Sequence, residues 1–383
     1  MGALQVRLLK WGDRLLGRTL YRALLAHARR RPHPARGVLP DPVRKILVIR
    51  PGGIGDAVLF FPLLHSLRES FPGARLDVLA ERRNVGLFQA NRVADRALAY
   101  DRGAGRELLG ILREGYDVVV DTEQYHFLSA IIAYLTGASV ICGFDTQGRG
   151  GLFTHRVGYS DQAYEVQSFL KLARVLTGRE QPFDPEKPFF PVSEEHLRWA
   201  RERLGNPVSG RLAVVSPGAS MKQRLWAAGR YRQLVLWLLD QGFRVLIIGG
   251  RADVEAARHV AEGLDSDRVI NFAGTTSLAR TAALIAIADL YVSSDTGPLH
   301  IAYGVGTPTV HLFGSGILEK WAPAGSRYRV VHKALPCSPC TRYGHTPPCP
   351  YGVECMKKIE VADVTARVSE LLAGESGPLG RTS

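Results

Sequence analysis

The chain alternates short apolar runs with helical segments, and it does so twice. That repetition limits the fold more than any other feature. KILVIR (45–50), RLDVLA (75–80), YDVVVD (116–121) and SVICG (139–143) read as strands, with helices near 56–70 and 162–177. LAVVSPG (212–218), FRVLIIGG (243–250), residues 268–271, LYVSS (290–294) and TPTVHLF (307–313) repeat the pattern, with helices near 229–241, 253–263, 278–287 and 298–304. Runs apolar on both faces suit a parallel sheet covered by helices on each side. Between the two series, residues 178–193 hold four prolines and no periodicity, so the boundary is expected there. The expectation is an α/β chain of two doubly wound domains, residues 44–180 and 194–373, with ligands at the carboxyl ends of the strands.

Composition excludes other classes. The 383 residues are 46% hydrophobic and 22% charged, so a packed core can form. Five cysteines are too few for a disulfide-built secreted chain. No run of 18 apolar residues exists to span a membrane. Arginines interrupt the N-terminal apolar residues, which argues against a secretory signal.

The net charge of +13 is concentrated. Residues 1–36 carry nine Lys/Arg and one acid, Asp13. Arg7, Lys10, Arg14, Arg18 and Arg22 share one helix face, opposite Leu4, Leu8, Trp11, Leu15 and Leu16. An amphipathic basic helix over residues 3–30 is expected, followed by a proline-rich linker to residue 43. Such a helix suits an anionic membrane surface. It also suits packing on the body with a solvated basic face, and an organelle transit peptide is a further reading. Nucleic-acid binding is not expected: the stripe has few aromatics and the body no reader motif.

Four segments can carry chemistry. In Arg50-Pro51-Gly52-Gly53-Ile54-Gly55-Asp56, glycines after the first strand free backbone N–H groups at a helix start, as at an anion or sugar site. It is not a dinucleotide fingerprint. Asp56 is a catalytic candidate or a first-turn acid favoured by the helix dipole. Ser216-Pro217-Gly218-Ala219-Ser220, with Lys222 and Arg224 behind it, suits a phosphate clamp or a solvated basic loop. In Ser293–His300, Thr296 and Gly297 can present donors to a phosphate at a helix start, Asp295 can accept from a sugar hydroxyl or cap, and His300 can donate or be structural. Cys337, Cys340, Cys349 and Cys355 lie within 19 residues. They supply the four ligands of a structural zinc site, or are reduced core thiols, or form two disulfides.

Together, KILVIRPGGIGDAVLFFPLLHSLR, SPGAS…W, FRVLIIGG, SSDTGPLHIAYGVGTPTVHLFG and the cysteine-rich tail make the chain resemble glycosyltransferase family 9, in particular its heptosyltransferase II branch, over residues 45–372. The resemblance implies a GT-B fold: two Rossmann-like domains facing a cleft, the acceptor on the first and the sugar nucleotide on the second. It implies inverting transfer of a heptose from an ADP-heptose-type donor to a hydroxyl of the lipopolysaccharide inner core, a lipid-linked glycan. Asp56 would then be the general base. Gly52, Gly53 and Gly55 would shape the acceptor loop. Ser216, Gly218, Lys222, Arg224, Asp295, Thr296, Gly297 and His300 would bind the donor, with no required cofactor. The location implied is cytoplasmic, peripheral on the inner membrane.

Two departures stand out. The family usually has lysine two residues before the tryptophan of a K-x-W-P stretch. Here Arg224 occupies that position and Ala227 replaces the proline. The N-terminal basic helix is also an addition to the usual core. Both leave room for a different nucleotide sugar or acceptor. An NAD-dependent oxidoreductase is disfavoured by the missing fingerprint, and a binding-only protein is the remaining alternative.

Overall fold

A computed structural model describes residues 13, 17–30, 37–101, 105–205, 210–342 and 344–374. The chain divides into two compact units, Met1–Phe183 and Asp184–Ser383. The first holds strands β1 (Lys45–Arg50), β2 (Arg75–Ala80), β3 (Arg96–Ala99), β4 (Val118–Asp121), β5 (Val140–Phe144) and β6 (His155–Val157). The second holds β7 (Arg211–Ser216), β8 (Phe243–Ile247), β9 (Val269–Asn271), β10 (Leu290–Ser294), β11 (Thr309–Phe313) and β12 (Tyr328–His332).

The sheets run β3-β2-β1-β4-β5-β6 and β12-β11-β10-β7-β8-β9, every pairing parallel. Both are the doubly wound order, whose direction reverses between the first and fourth strands. The crevice at that reversal lies between β1 and β4 in one unit and between β7 and β10 in the other. The central strands are buried throughout, Ile46–Ile49 and Ala213–Val215 among them, because helices cover both faces.

The central strands match the sequence expectation closely. β3, β6 and β12 were not anticipated: the first two are short, and each lies at a sheet edge where fewer apolar residues are needed. The single helix expected over 56–70 is two, Ile54–Leu59 and Phe61–Ser70. Pro62 has no N–H to donate back to Val58, so the first helix ends and a second begins. The division between the units, at Phe183/Asp184, falls inside the proline-rich segment, and the later part of that segment is packed on the second unit. The N–H groups of Phe189 and Phe190 donate to the Gly304 carbonyl, and Phe190 is buried.

Of the helix expected over 3–30, Arg18–Arg30 is described; residues 3–12 and 14–16 lie outside the described residues. Tyr21, Leu24, Leu25 and Ala28, spaced as one helical face, pack into the first unit's core beside Phe127 and Leu152. Arg18, Arg22, Arg29 and Arg30 are exposed. Over this stretch the apolar face is therefore taken up by the body. No helix among the described residues is long and apolar enough to cross a membrane.

Candidate functional site

At the end of β1 the chain turns through Gly52, whose φ of +102° favours glycine. A Cβ there would stand 3.0 Å from Arg50 Nη2 and 3.6 Å from Asp56 Oδ2. Gly53 is the N-cap of the helix Ile54–Leu59, with Gly55 and Asp56 in its first turn. Asn84 fixes this loop by donating from Nδ2 to the carbonyls of Arg50 and Gly52, both at 3.3 Å. Arg50 is 1% exposed. Its Nε donates to the Pro51 carbonyl at 2.8 Å and its Nη1 to the Thr122 carbonyl at 2.9 Å, while Nη2 stands 3.6 Å from Asp56 Oδ2. The Asp56 side chain is 25% exposed. The result is a carboxylate at the mouth of a glycine-floored loop, aimed by a buried cation.

The β4 end, across the crevice, was not read from the sequence. Asp121, Thr122, Glu123 and Gln124 are all buried. Arg149, wholly buried, bonds the Asp121 carboxylate at 2.5 Å and donates to the Glu123 carbonyl. Glu123 Oε1 accepts from the N–H groups of Gln124 and Tyr125 at 2.9 and 2.8 Å. Burial pushes the Glu123 carboxyl up, but His126, Arg50, Arg149 and these N–H groups outweigh it and hold it below its ordinary value. Gln124 donates to Glu165 at 2.6 Å. Arg149 and Glu165 lie 26 to 41 positions from the residues they hold and share no motif with them. The one available signal was polar residues directly after an apolar strand.

In the second unit, Ser216 closes β7 and is buried. Arg224 ends a short turn, Lys222–Arg224. Its Nη1 donates to the Asp295 carbonyl at 3.0 Å and stands 3.3 Å from Asp295 Oδ2. His300 Nε2 lies 3.8 Å from Asp295 Oδ1. Thr296 is the N-cap of the helix Gly297–Val305 but makes no side-chain cap bond. Arg224 Nε, Thr296 Oγ1, His300 Nδ1 and Ser315 Oγ are all buried without a hydrogen-bond partner. Most buried polar atoms are paired, so unused donors on Arg224, Thr296 and His300 beside one carboxylate mark this strand end as a place where a polar group can be held. Burial pushes the Asp295 carboxyl up, yet Arg224, then His300 and His311, pull it below its ordinary value. His311, on β11, was not singled out in the sequence. Both its ring nitrogens are orphaned, and burial pushes its pKa down to about 3.

The structure thus brings Ser216, Arg224, Asp295, Thr296, Gly297 and His300 to one strand-end crevice. Gly218 lies against Asp253 beside it. Lys222 is exposed, so the cation turned toward Asp295 is Arg224.

Cys337, Cys340, Cys349 and Cys355 are free and line one cavity of about 70 Å³, with Ser315 and Gln223 on its wall. Burial pushes the Cys340 and Cys355 thiols up. No group of three or more His, Cys, Asp or Glu among the described residues is arranged to hold a metal ion.

Comparison with known proteins gives the chain's family. The profile of glycosyltransferase family 9 (heptosyltransferase) matches residues 106–349. The chain is 26% identical over 305 residues to lipopolysaccharide heptosyltransferase 2 of Escherichia coli K12, covering 75% of this chain and 87% of that protein. It is 27% identical over 311 residues to lipooligosaccharide heptosyltransferase 2 of Haemophilus ducreyi, covering 76% and 89%. The solved structure of E. coli ADP-heptose LPS heptosyltransferase II superposes with a TM-score of 0.70 at 24% identity, covering 86% of this chain and 99% of that one. That of E. coli heptosyltransferase WaaC with ADP gives a TM-score of 0.64 at 20% identity. The structural likeness shows the GT-B fold. With the family profile spanning well over half of its length, the chain belongs to glycosyltransferase family 9, the heptosyltransferases.

Proposed function

We propose that this glycosyltransferase moves a heptose from an ADP-heptose-type donor to a hydroxyl of the lipopolysaccharide inner core, with inversion at the anomeric carbon. The relatives named above supply the substrate class. The single observation that carries the donor side is the set of orphaned donors around Asp295. Arg224 Nε, Thr296 Oγ1 and the N–H groups opening the helix Gly297–Val305 are the partners a diphosphate needs as charge builds on it. Asp295 and His300 are left to meet sugar hydroxyls and to hold Arg224 in place.

Asp56 is the general base. The acceptor hydroxyl gives its proton to the Asp56 carboxylate while its oxygen bonds to the anomeric carbon from the face opposite ADP. The bond from that carbon to the phosphate oxygen breaks, and ADP leaves carrying the electron pair. The chain's own groups stabilise that charge, so the step needs no metal in this scheme. The exposed arginines of the N-terminal helix hold the enzyme at an anionic inner-membrane surface, where a lipid-linked acceptor is concentrated.

Two measurements test the reading. Calorimetric titration with ADP-heptose, a UDP-sugar, a GDP-sugar and NAD should show selective binding of ADP-heptose, weakened by Arg224→Ala. Preference for another sugar nucleotide would keep the family and change the substrate. Asp56→Asn should leave that binding intact and lower kcat by about 10²–10⁴-fold, the usual range for a lost general base, on ADP-heptose and core-truncated lipopolysaccharide. Full transfer by Asp56→Asn would remove Asp56 from the chemistry.

A further inference from the structure

The N-terminal arm is joined to the Asp56 loop by hydrogen bonds that meet at adjacent residues of the β4 end, Thr122 and Glu123, and then by the 3.6 Å contact of Arg50 with Asp56. Asp13 accepts from the N–H groups of Phe127 and Leu128 at 3.0 and 2.7 Å and lies 3.3 Å from His126 Nδ1, so it caps the helix Phe127–Leu135 from outside that helix. The Tyr21 hydroxyl, 3% exposed as a residue, donates to the Arg149 carbonyl at 2.6 Å. Arg149 is thus held at its backbone by the arm. It is held at its side chain by His126, whose carbonyl accepts from Nε at 2.8 Å. The far end of the same guanidinium bonds Asp121, Ser129 and the Glu123 carbonyl.

Arg50 grips the residue between. Its Nη1 donates to the Thr122 carbonyl at 2.9 Å, and its Nη2 faces Asp56. Two buried arginines therefore hold successive carbonyls of one strand end, one reaching it from the arm's side and one from the base's side. A shift of Arg149 moves Glu123 and Thr122, and Thr122 is what Arg50 is braced on.

We infer that Arg149 is a positioning residue for the transfer reaction, and that the N-terminal arm, through Asp13 and Tyr21, sets the Arg50–Asp56 pair by way of the β4 end. This rests on Asp56 being the base. The arm is then part of the acceptor-side machinery, as well as a surface to meet a membrane.

Arg149→Met strands the buried Asp121 carboxylate and is apt to unfold the unit, so Tyr21→Phe and Asp13→Ala carry the test in the full-length protein. Each removes arm contacts while leaving Arg149 paired. Amide hydrogen exchange should quicken at residues 121–126 and also at 50–56. The kcat for transfer should fall about fivefold, the worth of one buried hydrogen bond, with ADP-heptose affinity unchanged. Asp13→Asn, which keeps an oxygen for the helix cap, should restore most of the loss. Exchange that quickens only within 13–30 and around 149 overturns the inference. So does exchange that spreads to 50–56 without any fall in kcat. Active Asp56→Asn would instead fail the base assignment, and the exchange result reads the coupling independently of it.

Discussion

Gly218 shows what a single residue decides at the donor crevice. A Cβ at this position would come within 2.0–2.6 Å of the Asp253 carboxyl group. That carboxylate accepts from the Gly250 N–H at 2.8 Å and so fixes the turn after β8. The two strand-end turns approach this closely because one of them lacks a side chain. Gly218→Ala should therefore push Asp253 off Gly250 and cost about 1–3 kcal/mol, the range for overpacking a filled site. Thermal melting should show the loss, and ADP titration should show weaker binding. Asp253→Ala in the same chain should recover part of both. A Gly218→Ala protein with the parent's melting temperature and affinity would show that the turns have room to spare. The sequence flagged Gly218 through its place after a strand. It could not show Asp253, because the pairing depends on how β7 and β8 lie side by side.

At the scale of the element, the legible parts are those that local pattern dictates. KILVIR and LYVSS are strands with the bounds the apolar runs give, and the loops that follow them carry Asp56 and Asp295. Side chains that meet from distant positions were invisible, as with Arg149 and Asp121, and a polar residue inside an apolar strand was overlooked. His311 on β11 is the clearest case. Burial lowers its pKa to about 3 from an unfolded value near 6.5. Between those values the unfolded chain binds the proton and the folded chain does not, so stability is present above about pH 6.5 and drains as pH falls toward 3. One group gives a slope of about 1.4 kcal/mol per pH unit in that window. His300 and Asp295 face His311, and Asp295, held below its ordinary value, adds its own loss only under about pH 4. Melting of the second unit between pH 6 and 4.5 should thus lose stability with that slope, and His311→Gln should flatten it. An unchanged slope in the variant would move the proton uptake to another group.

For the whole molecule, the charge distribution and the docking of the N-terminal helix together fix how a membrane surface would be met. Nine of the chain's 49 Lys/Arg lie in the first 36 residues. The sequence offered an apolar stripe opposite them, which on its own suits insertion among lipid headgroups. In the structure Tyr21, Leu24, Leu25 and Ala28 are spent on the body, and the arginines at 18, 22, 29 and 30 face outward. With that stretch of apolar face occupied, attraction between Arg18–Arg30 and anionic lipid is electrostatic, about 1 kcal/mol for each basic residue near the surface. It is screened once the Debye length, about 10 Å at 0.1 M salt, shrinks toward 3 Å at 1 M. Sedimentation with vesicles containing phosphatidylglycerol should pull the protein down at low salt and release it at high salt. Neutral phosphatidylcholine vesicles should leave it in solution. Charge reversal at Arg18, Arg22, Arg29 and Arg30 should reduce binding at low salt while ADP titration stays unchanged, since those residues lie in the other unit from the Asp295 crevice. Binding that survives high salt would mean that apolar side chains enter the lipid. If Tyr21 were among them it would release Arg149, and the membrane would act on the Asp56 loop through the β4 end.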